Sequence, residues 1–262
     1  MKQKYQLSYY LRIVLNVIIY IIFFGYVIYS MINAKNIGSL VFNLLIGIII
    51  GGYACLYEYL RINYDAATKR LIVDGNPKQT LNFLKRVEKA DLFKTYKTSC
   101  QMMRLLTYLD LRDYETLDSY IKELEEAGID NYDVEITTRY AQMLSYGQQG
   151  QKGKSNTAFK KLIALRDQKD RKNRRRKGAF FFNWEVVNGQ HKLYDQEYQS
   201  AFNFLKDINE QNMNLREVMH YQIAKAIAAK NVKEDDIYQE SINRLRNICK
   251  NNQEMLDYIE KI

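Results

Sequence analysis

The sequence predicts an all-α protein in which two membrane helices precede a series of helix pairs. Two runs of 22 residues, 13–34 and 36–57, contain no charged residue. Beyond residue 76 the apolar residues recur at intervals of three and four, which is typical of amphipathic helices. Short polar breaks separate these segments, and we find no convincing strand pattern among them.

The two uncharged runs predict a hairpin of transmembrane helices. A helix of 22 residues is about 33 Å long, which matches a hydrocarbon core of roughly 30 Å. We place the spans at about residues 10–32 and 37–58, with Lys35 in the turn between them. We expect the first run to be a span and not a secretory signal, because it is longer than a signal h-region and a second span follows directly.

Basic residues flank the outer ends of the hairpin and predict its orientation. They are Lys2, Lys4 and Arg12 before the first span and Arg61, Lys69 and Arg70 after the second. Positive charge concentrates on the cytoplasmic side of membrane proteins. We therefore expect a multi-pass protein of a bacterial cytoplasmic membrane, with both termini and the main domain in the cytoplasm.

The second span carries Gly47 and Gly51 in a GxxxG pattern. Small residues four apart let helix backbones approach closely in lipid. The helix that meets these glycines is either the first span or the second span of another copy. The sequence therefore leaves homo-oligomerisation open.

A turn cluster, Asp74-Gly75-Asn76-Pro77, contains the only proline of the chain. Proline and glycine interrupt helices, and proline suits the first turn of the helix that follows. We therefore divide the chain into a membrane anchor (1–60), a juxtamembrane helix and linker (61–76) and a cytoplasmic helical domain (77–262).

Five helices of this last domain share one pattern: a small or apolar residue is followed by apolar residues four and seven positions later. The pattern begins at Thr80, Leu117, Ala158, Ala201 and Ser241, at intervals of 37, 41, 43 and 40 residues. Such an interval holds two helices and two turns, which predicts an α-solenoid. The alternative is an irregular helical bundle with a fortuitous period.

One unit resembles a tetratricopeptide repeat. Its signature residues are Trp184, Gly189 at the small position of the first helix, Tyr198 at the aromatic position of the second, and Ala201 and Leu205 at the small and large positions that follow. The units are longer than the usual 34 residues, Trp184 is one residue out of register and the closing proline is missing. The resemblance implies a scaffold that binds a protein or peptide in a concave groove, and it implies no catalysis.

The chain has a formal net charge of +9 at pH 7, and its excess of basic residues is concentrated in one segment. Residues 150–177 hold twelve Lys and Arg and two Asp, a net charge of +10. The densest part contains Arg171, Lys172, Arg174, Arg175, Arg176 and Lys177. This segment is either a solvated connection, a contact for anionic lipid, a contact for an acidic protein or a nucleic-acid site. Nucleic acid is the least favoured, because no aromatic residues are interleaved in the densest part and no RNA-binding motif occurs.

The segment Gly150–Ser155 ends like a phosphate-binding loop. That motif requires a glycine at position 148, where the chain has Gln148, and a preceding strand. We therefore interpret the segment as a turn in which Ser155 or Asn156 caps the next helix.

We find no enzyme signature elsewhere. The two histidines, His191 and His220, lie on different predicted helices with no nucleophile motif beside them. The three cysteines have no metal-ligand spacing. We expect no catalytic residue, metal or cofactor.

Together these features predict a membrane-anchored adaptor that displays a protein-binding groove on the cytoplasmic face. The alternative is an accessory or regulatory subunit of a membrane transporter or cell-envelope complex, bound through the hairpin. Replacement of the hairpin by an unrelated anchor would spare an adaptor and abolish binding of a subunit.

Overall fold

The computed structural model describes residues 2–34, 36–172 and 183–262. Over these ranges the chain forms twelve α-helices and one 3-10 helix, and it forms no strand. The predicted all-α class is confirmed. The chain divides into two compact units, Met1–Arg61 and Ile62–Ile262.

Within Met1–Arg61, helix α1 (Lys2–Ile32) runs antiparallel to the first part of helix α2 (Ile37–Ile72). The Asn43 side-chain amide donates to the Ser30 carbonyl at 3.2 Å, and the Tyr20 hydroxyl donates to Glu58 at 3.4 Å. Helix α2 begins where Asn36 Oδ1 accepts a hydrogen bond from Ser39 N.

One helix, Ile37–Ile72, is long and apolar enough to cross a membrane. In α1 the described side chains include a shorter apolar stretch, Val17–Ile32. The part of the chain that the structure describes thus supports association with a membrane through α2.

The unit Ile62–Ile262 contains the end of α2 and ten further α-helices. Their bounds are α3 Pro77–Ala90, α4 Lys97–Asp110, α5 Tyr114–Glu126, α6 Tyr132–Gln148, α7 Lys152–Lys172, α8 Trp184–Tyr194, α9 Tyr198–Leu205, α10 Leu215–Val232, α11 Asp235–Ile248 and α12 Gln253–Ile259. The 3-10 helix, Glu210–Asn212, lies between α9 and α10.

Asparagine and aspartate side chains set where many of these helices begin. Asn76 accepts a hydrogen bond from Gln79 N with Pro77 in the first turn of α3, and Asp113 caps α5 in the same way. Asn214 forms a full capping box with Glu217 at the start of α10. Each cap satisfies amides that have no partner inside the helix.

The interpretation of Ser155 or Asn156 as a helix cap is wrong, because both residues lie inside α7. Helix α7 already begins at Lys152, so Ser155 lies inside its first turn. The Ser155 hydroxyl is buried and donates to the carbonyl of Met143 at 2.9 Å. It therefore joins α7 to α6. The turn before α7 is made at Gly150, whose φ of +73° favours glycine.

The core of this unit contains the positions that define the sequence pattern. The first positions, Thr80, Leu117, Ala158, Ala201 and Ser241, are all buried, as are the apolar residues four positions later. Helices α5, α7, α9 and α11 each pack against the helix before them, and the intervening helices pack in the order α4, α6, α8, α10.

The C-terminal residues of the unit also contact residues near its beginning. Asn251 donates to the carbonyl of Asp74 at 2.9 Å, and Lys78 forms an ion pair with Glu254 at 2.5 Å. The guanidinium of Arg112 lies 3.3 Å from the ring centre of Tyr258. In an open solenoid each pair contacts only its neighbours. Contacts across the unit therefore add to the neighbour contacts that the repeat pattern predicts.

Candidate functional site

A buried polar cluster joins α4 to α10. Arg216 Nε donates to Asp110 Oδ2 at 2.9 Å, and His220 Nε2 lies 2.7 Å from Asp110 Oδ1. All three residues are only 2–3% exposed. Asp110 is the last residue of α4, whereas Arg216 and His220 are one turn apart on α10, so both can reach the same carboxylate.

The charges within this cluster balance. Burial and the neighbouring Arg216 guanidinium lower the pKa of His220 despite the opposing effect of Asp110. His220 is therefore neutral at pH 7 and donates its Nε2 proton to the carboxylate. Burial opposes the charge of Arg216, but Asp110 and Tyr140 outweigh burial, so the pKa of Arg216 is raised. One buried cation thus faces one buried carboxylate.

The cluster is closed to substrates. The Arg216 Nη1 and Nη2 atoms are buried, and the guanidinium also interacts with the Tyr140 hydroxyl. The cavity beside them, bordered by Gly75, Asn252 and Cys249, has a volume of only about 10 Å³. That is about the space of one water molecule. We interpret the cluster as a structural contact that holds α4 against α10, and not as a catalytic site.

An open groove lies between the 3-10 helix, α10 and α11. It encloses about 510 Å³, within the range of about 300–1,000 Å³ typical of ligand sites. Its floor is formed by Tyr221, Gln222 and Lys225 of α10. Its rim is polar and includes Asn209, Glu210, Asn243, Arg244 and Asn247.

The floor of the groove has unused hydrogen-bonding capacity. Gln222 Nε2 donates to Glu210, but the Gln222 Oε1 atom is buried without a partner among the described residues. Lys225 is 9% exposed and forms no ion pair within the described part of the chain. Its ammonium lies 5.8 Å from the ring centre of Tyr221. The groove therefore offers one cation and one acceptor at its base.

The two glycines of the GxxxG pattern face α1. A Cβ atom at Gly47 would lie 2.9 Å from a methyl of Val27, and one at Gly51 would lie 3.0 Å from the ring of Phe24. A Cβ at the neighbouring Gly52 would meet nothing within 4 Å. Within Met1–Arg61 the contact is thus made with the first helix of the same chain.

The residues of the tetratricopeptide-like signature lie in and around the core. A Cβ at Gly189 would lie 2.5 Å from Leu205, and Ala201 and Leu205 are fully buried. Tyr198 packs against the same cluster, and Trp184 is half-buried with the Arg166 guanidinium 5.1 Å from its ring. These residues position α8 against α9 and do not line the groove.

Most of the predicted basic site lies outside the described residues. This holds for Arg174, Arg175, Arg176 and Lys177, and for the side chains of Arg171 and Lys172. The backbone of these last two residues ends α7, so the basic segment begins as helix and not as a connection.

Among the described residues, no group of three or more His, Cys, Asp or Glu side chains could hold a metal ion. Comparison with protein-family models, curated proteins and solved structures gives no match to this chain.

The sequence alone assigns no role to the polar residues of α10. The available signal is their position: Arg216, His220, Gln222 and Lys225 interrupt a helix that is otherwise rich in Ala and Ile and buried on nearly all sides. Polar side chains on such a helix need partners, because burial without a hydrogen bond is costly.

Proposed function

We propose that the chain is a membrane-anchored adaptor that holds a segment of a partner protein in the groove beside α10. The observation that carries the proposal is the floor of this groove: among the described residues Lys225 contacts the ring of Tyr221 but pairs with no carboxylate, and Gln222 Oε1 accepts no hydrogen bond. An acidic side chain of the partner would pair with Lys225, and a backbone N–H would donate to Gln222.

A protein segment fits this groove better than a small metabolite does. Small-molecule sites are mostly apolar and enclose their ligand. This groove is open, and its rim is rich in the amides of Asn209, Asn243 and Asn247. Side-chain amides can both donate to and accept from a polypeptide backbone.

The anchor in this proposal is the pair α1 and α2, which cross the cytoplasmic membrane twice with both termini inside. The apolar length of α2, the close contacts at Gly47 and Gly51 and the basic residues outside the two runs support it. Anchoring raises the local concentration of the groove near membrane-bound partners, so a modest affinity suffices. The helical domain then acts as a tetratricopeptide-like scaffold.

The test is capture of partners by the full chain from mild detergent, followed by identification and quantification of the bound proteins. Lys225→Met removes the charge and keeps the buried stem, and Gln222→Met removes the acceptor. Lys250→Met, at an exposed position outside the groove, is the matched control. We expect a stoichiometric partner that survives high salt, is lost with the first two variants and is kept by the control. Equal capture by Lys225→Met contradicts the proposal.

The accessory-subunit function has one observation in its favour. Only 6% of the most apolar window of α2 is buried against the rest of the chain. Most of this window is therefore available to lipid or to helices of another protein. Replacing residues 1–60 with an unrelated two-span anchor separates the two functions. An adaptor keeps its partner after this exchange, whereas a subunit held through the hairpin loses it.

A further inference from the structure

The connection between α3 and α4 exposes two large apolar side chains side by side. Leu92 is 75% exposed and Phe93 is 65% exposed, at the outer end of the loop 91–96, which we call the tip loop. Large apolar side chains that lie adjacent and exposed mark interaction surfaces when other features support one.

The tip loop is held in this conformation by its own hydrogen bonds. Asp91 Oδ1 accepts from Thr95 N at 2.9 Å, and Asp91 Oδ2 accepts from Tyr96 N at 2.7 Å. Lys94 adopts a left-handed conformation with φ of +55°. The ring of Tyr96 packs on Tyr64, with 5.1 Å between the ring centres. The exposure of the apolar pair is thus a fixed feature of the loop.

Exposed basic residues flank the apolar pair in the sequence. Between residues 85 and 97 there are five exposed cations, namely Lys85, Arg86, Lys89, Lys94 and Lys97. The two acidic residues of this stretch are already engaged, since Glu88 pairs with Arg104 and Asp91 binds the loop amides. The stretch that contains the apolar pair therefore carries a net positive charge.

We propose that the tip loop inserts into the interfacial region of the membrane, with Leu92 and Phe93 at the boundary of headgroups and acyl chains. The surrounding lysines would then contact anionic headgroups. Lysine is depleted in the cores of protein–protein interfaces, so this combination fits lipid better than a protein partner. The inference rests on the membrane placement of α2 in the proposed function.

The connectivity of the chain brings the tip loop near lipid. Tyr64, on which the loop packs, comes only seven residues after Tyr57, the last residue of the second uncharged run. Once that run is in the membrane, so short a tether keeps the loop close to its surface. A second contact within reach of an anchor forms at high effective concentration.

The experiment measures the depth of single fluorescent labels in the full chain reconstituted into vesicles that contain an anionic phospholipid. A Cys55→Ser background removes the exposed cysteine, whereas Cys100 and Cys249 are buried. An environment-sensitive fluorophore is attached at Leu92→Cys. Quenching is measured with phospholipids that carry a nitroxide either high on the acyl chain, at the depth expected for position 92, or near its end, at the depth expected for position 49.

Two further label sites make the result decisive. Phe204→Cys is the matched control, because Phe204 is an apolar residue of α9 that is 49% exposed. Ile49→Cys reports on α2 itself. We expect the labels at positions 49 and 92 to lose most of their fluorescence and the label at 204 to keep it. Quenching at 92 should decrease in neutral vesicles and when Lys89, Lys94 and Lys97 are replaced with glutamine.

The possible failures are distinguishable. If the label at 49 is quenched and the label at 92 behaves like that at 204, the anchor stands and the tip-loop inference is wrong. If the label at 49 is not quenched, the membrane placement of α2 in the proposed function is wrong, and the inference fails with it.

Discussion

Replacing Asp110 with alanine should destabilise the unit Ile62–Ile262 severely. The substitution leaves the Arg216 guanidinium buried without its carboxylate and removes the acceptor of His220. Removal of one partner from a buried ion pair costs about 3–5 kcal/mol. For a unit of about 200 residues, each kcal/mol lowers the melting temperature by about 2–4 °C, so we expect a decrease of about 6–20 °C.

The assay is unfolding of the purified full chain in detergent, followed by tryptophan fluorescence. Trp184 is the only tryptophan and lies on α8, inside the unit that contains the cluster. The matched control is Glu254→Ala, which breaks the ion pair with Lys78 at the surface. That pair also joins the beginning and end of the unit, yet its loss should cost only about 0–1 kcal/mol, because exposed pairs are screened by water.

Two outcomes would refute this account of the cluster. One is a decrease in stability for Asp110→Ala that is no larger than the decrease for Glu254→Ala. The other concerns the double variant Asp110→Leu with Arg216→Met, which leaves no unpaired charge in the core. It should recover part of the stability lost in Asp110→Ala, because apolar replacements of buried pairs are often tolerated. A double variant less stable than Asp110→Ala would mean that the buried charge is not what destabilises the single variant.

Three further predictions concern histidine titration and helix packing. Because burial lowers the pKa of His220, this histidine takes up a proton at a higher pH in the unfolded chain than in the folded chain. Its contribution to the free energy of unfolding should therefore be constant above about pH 6.5 and decrease below it. His220→Gln should weaken this pH dependence in urea titrations. Gly189→Ala places a methyl group 2.5 Å from a leucine of α9 and should cost about 1–3 kcal/mol in the same assay, whereas Gly153→Ala, whose Cβ meets nothing within 4 Å, should change stability by less than about 1 kcal/mol. Gly47→Leu should separate α1 from α2 and reduce disulfide formation between cysteines placed at their contact, and Gly52→Leu should not.

Most of the helical architecture could be predicted from the sequence because its causes are local. The positions that begin at Thr80 and Leu117 repeat at helical spacing, and they are buried. Asn76, Asp113 and Asn214 come directly before helices and cap them. Periodicity and caps act over a few residues, so a single sequence contains them.

The buried cluster and the groove could not be predicted because they join distant parts of the chain. Asp110 meets Arg216 across 106 positions, and no local pattern relates a carboxylate at the end of one helix to a guanidinium on another. The prediction of a cap at Ser155 was wrong for a related reason. A serine close after a glycine suits a cap, but here the Ser155 hydroxyl donates to a carbonyl of α6.

Helix α10 connects the two features that the sequence did not reveal. Residues of an α-helix are about 100° apart, so Arg216 and His220 lie on one face, and Tyr221 and Lys225 lie on the other side of the helix. The first face is fixed by Asp110, and the second forms the floor of the groove. Because a helix rotates as a unit, the buried ion pair also fixes where Lys225 points. The buried ion pair in the core therefore sets the geometry of the surface at which we propose that a partner binds.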